Sequence, residues 1–190
     1  MAIALDFNQP AVDILLDQLN YDNNAGITPQ LVVFQNPSAN ATGAQRNTTV
    51  QITSVEGSGF TGSVDWQYNR VDISVVPGIR STLISVPNGA TLISQLLPNI
   101  NLAYGIQLTA EDIVDGPIPT FIGLPNEKHN FTLVIAATAL VYYNSVVLTA
   151  FIDGTAYSEV VTAAGDNVIT ADGDFVVAKN DETSSTGESS

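Results

Sequence analysis

Three stretches of the chain recur in order at nearly one spacing, and this recurrence constrains the fold more than any other feature. Leu15-Leu16-Asp17-Gln18-Leu19-Asn20 is followed 81 residues later by Leu96-Leu97-Pro98-Asn99-Ile100-Asn101. The same offset sets Asn24 against Gly105, Ile27 against Leu108, Thr28 against Thr109, Val32 against Ile113 and Val33 against Val114. Asn47 to Ile52 matches Asn130 to Ile135 at an offset of 83, and Gly62-Ser63-Val64 matches Asn144-Ser145-Val146 at 82. Small changes in loop length account for the drift. Self-similarity of this kind marks a supersecondary unit used more than once. It divides the chain into a first module over 1–78, a second over 79–155, a β extension over 156–179 and a polar acidic tail over 180–190.

Each module opens with a helical pattern. Val12, Leu15, Leu16 and Leu19 stand three and four residues apart, which places them on one helical face. Asn8 is suited to cap this helix, and Pro10 to its first turn, where a missing N–H is harmless. Asn24-Ala25-Gly26 supplies a residue able to adopt the left-handed conformation that ends helices. In the second module Asn88-Gly89 opens a helix over 91–104 whose face is Leu92, Ile93, Leu96, Leu97 and Ile100, with Gly105 closing it. Pro98 lies inside this segment and is expected to kink or split it.

Beyond each helix the apolar period changes from 3.6 to 2. Thr49 to Thr53 and Val64 to Tyr68 alternate as half-buried strands do, with Glu56-Gly57-Ser58-Gly59 as the turn between them. Phe131 to Ala137 and Val146 to Ile152 are longer apolar runs, which predicts strands buried on both faces. Residues 37–44 and 117–126 read as loops, and 71–76 and 82–86 as strands joining the modules. In the extension, 158–161 and 167–170 are expected to pair, with 175–178 adding a strand. The predicted class is α+β, mainly β, with two similar helix-plus-antiparallel-sheet modules followed by a β extension and a polar tail.

Composition narrows the function. Only five basic residues stand against 19 acids, for a net charge of -14. Phosphate backbones require clustered Lys and Arg, so a nucleic-acid partner is not expected, and an anionic membrane surface would repel the chain. No apolar run reaches the roughly 20 residues of a membrane helix, and residues 1–17 lack the pattern of a signal peptide. There is no cysteine, which removes disulfides, thiolate metal sites and a Cys nucleophile. Charged residues are 13% of the chain, so its polarity rests on Asn, Ser, Thr and Gln.

No catalytic, cofactor-binding or metal-binding residues are expected. His129 is the single histidine, and it reads as an exposed loop residue with no nucleophile elbow in the sequence. Glu111, Asp112 and Asp115 fit a turn ahead of a strand better than an acid/base pair. Asp166, Asp172 and Asp174 with Gly165 and Gly173 resemble a loose calcium loop but lack its spacing and terminal Glu. Asn40, Asn47 and Asn130 begin Asn-x-Thr triplets that carry no meaning without secretion. Phe60, Trp66 and Tyr68 alternate along one stretch and are expected to fill the space between sheet and helix, with a sugar-stacking platform as the other reading.

The string Gly59-Phe60-Thr61-Gly62-Ser63-Val64-Asp65-Trp66-Gln67-Tyr68-Asn69-Arg70-Val71-Asp72 resembles the end of a module repeated in virion structural proteins of large tailed bacteriophages. Ile100 to Val114 resembles the front half of that module, a helix end followed by a Leu-Thr-x-x-Asp-Ile turn. The first module has Thr28-Pro29-Gln30-Leu31 at the turn, and the second has Phe151-Ile152-Asp153 in place of Tyr-Asn-Arg. The resemblance covers about residues 10–155 and implies a non-enzymatic virion structural protein without fixing its place in the particle; the expected role is a capsid decoration protein bound in many copies to the head surface. Its implied partners are other virion proteins, the major capsid protein first, and copies of itself. It would be assembled in the host cytoplasm, without a cofactor. The alternative is a tail or fibre component, including a glycan-binding adhesin.

Overall fold

The computed structural model of the chain describes residues 5–79, 82–122 and 127–151, and the backbone of 157–159 and 177–179. The fold is α+β and mainly β. Helix α1 (Ala11–Asn23) buries Ile14, Leu15, Leu16 and Leu19 against an antiparallel sheet of order β1 (Val32–Ala39), β2 (Thr48–Ser54) and β3 (Ser63–Tyr68). Pro10 is the N-cap of α1, without a side-chain cap, so Asn8 does not fill the expected role. Its backbone N–H is held instead by Asp6 Oδ1 at 3.0 Å in the preceding turn.

A short strand β4 (Val71–Asp72) and a 3₁₀ turn (Ile73–Val75) lead to β5 (Leu83–Ser85). The second helix is split, as Pro98 requires. A 3₁₀ turn, Ile93–Leu96, precedes α2 (Leu97–Tyr104), and Pro98 sits in the first turn of α2, where its missing N–H costs no bond. Gln95 Oε1 accepts from the N–H of Thr91 at 2.7 Å and of Leu92 at 2.9 Å, so the helical segment starts after Leu92 rather than at Thr91. Strands β6 (Lys128–Val134) and β8 (Ser145–Phe151) pair antiparallel, β5 adds parallel to β8, and β7 (Tyr142–Tyr143) runs parallel to β4. The second sheet is therefore mixed, not purely antiparallel.

One set of backbone and side-chain bonds appears twice. The Asn20 amide donates to Ile27 O at 2.8 Å and accepts from Ile27 N at 2.8 Å. The Asn101 amide does the same to Leu108 O at 2.8 Å and Leu108 N at 2.9 Å. Asn24 and Gly105 both take left-handed backbone angles at the helix ends, which Asn and Gly tolerate best. Val55 N donates to Leu31 O at 2.9 Å, and 81 residues on Ala136 N donates to Asp112 O at 2.9 Å. Gly62 and Asn144 both have positive φ at the start of the third strand of each set.

These bonds correct the register of one expected match. Ile52 lies opposite Val64, and Leu133 lies opposite Val146, so Ile52 corresponds to Leu133 at an offset of 81 and not to Ile135. A two-residue error keeps side chains on the same face, because strands repeat every two residues, and so the apolar pattern could not reveal it.

Three further expectations change. Residues 131–137 and 146–152 were expected to be buried on both faces. In β6 and β8 burial alternates, with Phe131, Leu133, Val146, Leu148 and Ala150 inside and Val134 and Val147 exposed. Pro37 lies in β1, not in a loop. It is accommodated on an edge strand beside a register shift between Gln35 and Ser38, where Asn36 has positive φ. In the extension β9 (Tyr157–Glu159) pairs antiparallel with β10 (Val177–Lys179), so the first strand meets the last. Residues 160–176 and the tail over 180–190 lie outside the described residues.

The two Asn side chains each close a loop between a helix end and a strand. Replacing Asn101 with Ala leaves the N–H and C=O of Leu108 without their protein partners. The expected cost is about 2 kcal/mol, from two partly buried bonds worth about 1 kcal/mol each. Asn20→Ala should cost a similar amount. Urea unfolding of each variant checks both values.

Candidate functional site: a clasp and an open groove

Of the residues weighed for chemistry, His129, Asp112 and Asp115 are engaged in holding loops. His129 is the second residue of β6, not a loop residue, and its Nε2 lies 2.7 Å from Glu127 Oε1. Phe121 meets the imidazole edge-on with centroids 4.8 Å apart, and the Glu127 carboxylate also accepts from Ile122 N at 2.8 Å. This acid beside the histidine was not foreseen. The Glu127 carboxylate thus ties the loop at Ile122 to the start of β6.

The three acids after α2 do not form a pair. Asp112 Oδ2 accepts from Thr109 N at 2.9 Å and Thr109 Oγ1 at 2.8 Å, a capping interaction. Asp115 accepts from Ser94 Oγ at 2.6 Å, from Ser94 N at 2.9 Å and from Gly116 N at 2.9 Å. The Ser94 hydroxyl and the backbone N–H groups hold its carboxyl below the ordinary value. No group of three or more His, Cys, Asp or Glu among the described residues is placed to hold a metal ion. The loose calcium loop at 165–174 lies outside them. The amides of Asn40, Asn47 and Asn130 are all used in hydrogen bonds to neighbouring strands and loops.

Two features stand out instead. The first is a clasp built from Tyr68-Asn69-Arg70-Val71-Asp72. Tyr68 Oη donates to Leu140 O at 2.6 Å. Asn69 Oδ1 accepts from Asn47 N at 2.9 Å, and the Asn47 side chain bonds both the N–H and the C=O of Arg70 at 2.8 Å. Arg70 Nε donates to Thr48 Oγ1 at 3.0 Å, while Nη1 donates to Ala137 O and Ala139 O at 3.2 Å each. Val71 N donates to Val141 O at 2.8 Å, and Asp72 Oδ2 accepts from Asn144 Nδ2 at 2.9 Å. Asp72 Oδ1 also accepts from Ser74 N at 2.8 Å. The run thus fastens the end of the first sheet to the hairpin between β6 and β8. Among the described residues, Thr48 is the one polar residue in the buried set, and it sits at the clasp.

The second feature is an apolar groove of about 460 Å³ at the far end of α1, lined by Leu19, Ile27, Ile52, Phe60, Val64 and Trp66 among others. Trp66 stacks on Tyr68 with centroids 5.1 Å apart and planes 8° from parallel. Tyr68 is buried and Trp66 half-buried, but Phe60 is exposed and does not fill the space under the helix. The turn Gly57 to Gly59, in which both glycines have positive φ, carries Phe60 to the rim.

The chain belongs to a family of unknown function, DUF7941, whose model matches residues 4–171. No curated protein and no solved structure matches it.

Burial pushes the Tyr68 hydroxyl up to about 12, against a smaller opposing effect of the Arg70 charge. Tyr68 therefore keeps the proton it donates to Leu140 at neutral pH. Its folded value lies above the unfolded value of 10.0, so its stabilisation is intact below that pH and is lost as pH rises through about 12. Tyr68→Phe is expected to cost about 1 kcal/mol at pH 7 through the lost bond. It should also flatten part of the alkaline fall in stability, measured by thermal unfolding between neutral and strongly alkaline pH.

Proposed function

We propose that this DUF7941 protein is a non-enzymatic virion structural protein of a tailed phage, a capsid decoration protein bound in many copies to the head surface. In this reading the chain is built from two copies of one motif, over 1–78 and 79–155, and is assembled onto the particle in the host cytoplasm. Its partners are the major capsid protein and further copies of itself, not nucleic acid or membrane.

One observation carries the reading. The stretch Tyr68-Asn69-Arg70-Val71-Asp72, which resembles the module ending of phage virion proteins, is engaged throughout in bonds that join chain segments. A motif used to fasten one unit to the next is what a repeated building block requires. Two further features support it. No helix among the described residues is long and apolar enough to cross a membrane. The net charge of -14 gives no basic surface for phosphate. The mechanism is adhesive: apolar and Asn/Thr-rich surfaces bury against neighbouring proteins of the particle.

The reading is tested on purified particles of the phage that carries this gene, separated into heads and tails. Mass spectrometry is expected to find this chain with the heads, in many copies. Finding it only with the tails would replace this reading by the tail or fibre alternative, which a glycan array then probes. Its absence from particles would overturn both.

A further inference from the structure

Of all the asparagines in the chain, Asn88 alone is followed by glycine. It stands in the exposed turn Pro87-Asn88-Gly89-Ala90, between β5 and the second helical segment, where Asn and Gly are at home. One bond closes the turn, from Ala90 N to Pro87 O at 3.1 Å. Gly89 has a φ of 76°, and the place where a Cβ would stand is open. Among the described residues, neither the Asn88 side chain nor the Gly89 N–H takes part in a hydrogen bond. A side-chain amide carbon and an uncommitted backbone nitrogen thus stand one residue apart, in a turn open to water.

Elsewhere the same groups are held. The amides of Asn20, Asn40, Asn47, Asn101 and Asn130 are bonded to loops and strands, and each is followed by a residue with a side chain. Asp115-Gly116 is the acid form of the same pair, and it is fastened. Ser94 donates to the Asp115 carboxylate through both its hydroxyl and its N–H, and Gly116 N is itself engaged with Asp115 Oδ1 at 2.9 Å. An ionised carboxylate is also a poorer electrophile than an amide.

We propose that Asn88 is a site of spontaneous self-modification, converting to aspartate and isoaspartate through a cyclic imide with Gly89. The Gly89 nitrogen gives up its proton and bonds to Asn88 Cγ. The bond from Cγ to the amide nitrogen breaks, and that nitrogen leaves as ammonia, taking the proton. Water then opens the five-membered ring. Attack at Cγ frees the Gly89 nitrogen from the side chain and leaves aspartate in the ordinary linkage. Attack at the Asn88 main-chain carbonyl leaves Gly89 joined through the side chain, which is isoaspartate. One water enters and one ammonia leaves, with no oxidant or reductant. Glycine at the second position matters because it carries no Cβ to crowd the attacking nitrogen. Ring closure needs rotation of the Asn88 backbone, and the single bond from Ala90 to Pro87 is what opposes it. Either product adds a negative charge to a chain already at -14. Isoaspartate also lengthens the main chain in a turn fastened at both ends. Val86 N donates to Phe151 O at 3.0 Å on one side, and Gln95 Oε1 holds Thr91 N and Leu92 N on the other. The inference is independent of the virion reading.

The full chain is the sample for the test. It is held in neutral buffer at body temperature and digested at intervals, and every asparagine-containing peptide is followed by mass spectrometry. The Asn88 peptide is expected to lose its unmodified form ahead of all the others and to yield both products, with isoaspartate scored by an isoaspartate-specific methyltransferase. A parallel sample in urea sets the rate of the unconstrained pair, and the folded chain is expected to convert as well. Asn88→Ser should abolish both products. Residue 88 is exposed, so this variant is expected to stay folded, and circular dichroism checks this. Asn88→Gln serves if it does not, since its longer side chain cannot close a five-membered ring. Folded protein that keeps Asn88 intact while the urea sample converts overturns the inference, because the turn would then be rigid. Absence of conversion in both samples overturns it too, as does earlier conversion of another asparagine. Aspartate without isoaspartate overturns the ring step, because direct hydrolysis gives aspartate alone.

Discussion

A single short helix cannot cover the inner face of a three-stranded sheet, and the rest of the structure follows from how the remainder is covered. Apolar side chains left in contact with water forgo about 25 cal/mol for each Å² that could be buried. In the second half the missing cover comes from outside the pattern. Val71–Ile79 leaves the first sheet, its turn Ile73–Val75 packs on β8, and Ile73 and Ile79 are both buried. The two halves are thereby joined through a shared core, not through a flexible linker. Val71 pairs with Tyr142 and the turn Ile73–Val75 packs on β8, so the second half takes part of its cover from the segment that leaves the first.

The clasp sets where that crossing begins. Thr48, Asn47 and Arg70 meet at the end of the first sheet, and the Arg70 guanidinium reaches the carbonyls of Ala137 and Ala139 in the opposite hairpin. Arginine suits this position because its fixed fork of donors can satisfy several acceptors at once. Most of the surrounding bonds are made by neutral Asn and Thr side chains. A chain with 13% charged residues holds its loops with amides and hydroxyls, and these bonds are little affected by salt. Tyr142 is the exception in this seam. Its hydroxyl is buried without a hydrogen-bond partner among the described residues, and burial, with the nearby Asp112 charge, raises its pKa well above the ordinary value.

Much of the local structure was legible. The positions of α1 and the second helical segment follow from apolar residues three and four apart, and their ends follow from Asn24 and Gly105, which accept left-handed backbone angles. The split at Pro98 follows from its missing N–H. The recurrence at 81 residues was visible in Leu15 and Leu96, and the two Asn clips lie at that spacing. The register of β2 against β6 was misread by two residues, because Thr, Val and Ile alternate alike at either offset. The acid beside His129 was missed because Glu127 is separated from it by Lys128 and lies just ahead of β6, and the loop conformation there brings its carboxylate to the imidazole.

The sequence by itself determined where the helical segments lie and end, that β2 alternates between an apolar and a polar face, and that one local pattern occurs twice. These are properties of residues within a few positions of one another, and backbone sterics and side-chain period decide them. The tertiary structure alone decided which of two matching strand positions is covered and which stays open. Val64 and Val146 are the same residue in the same register position, yet one is exposed and the other buried. Val71–Ile79 gives its cover to the second half, and burial supplied by a distant segment leaves no trace in the residues it covers.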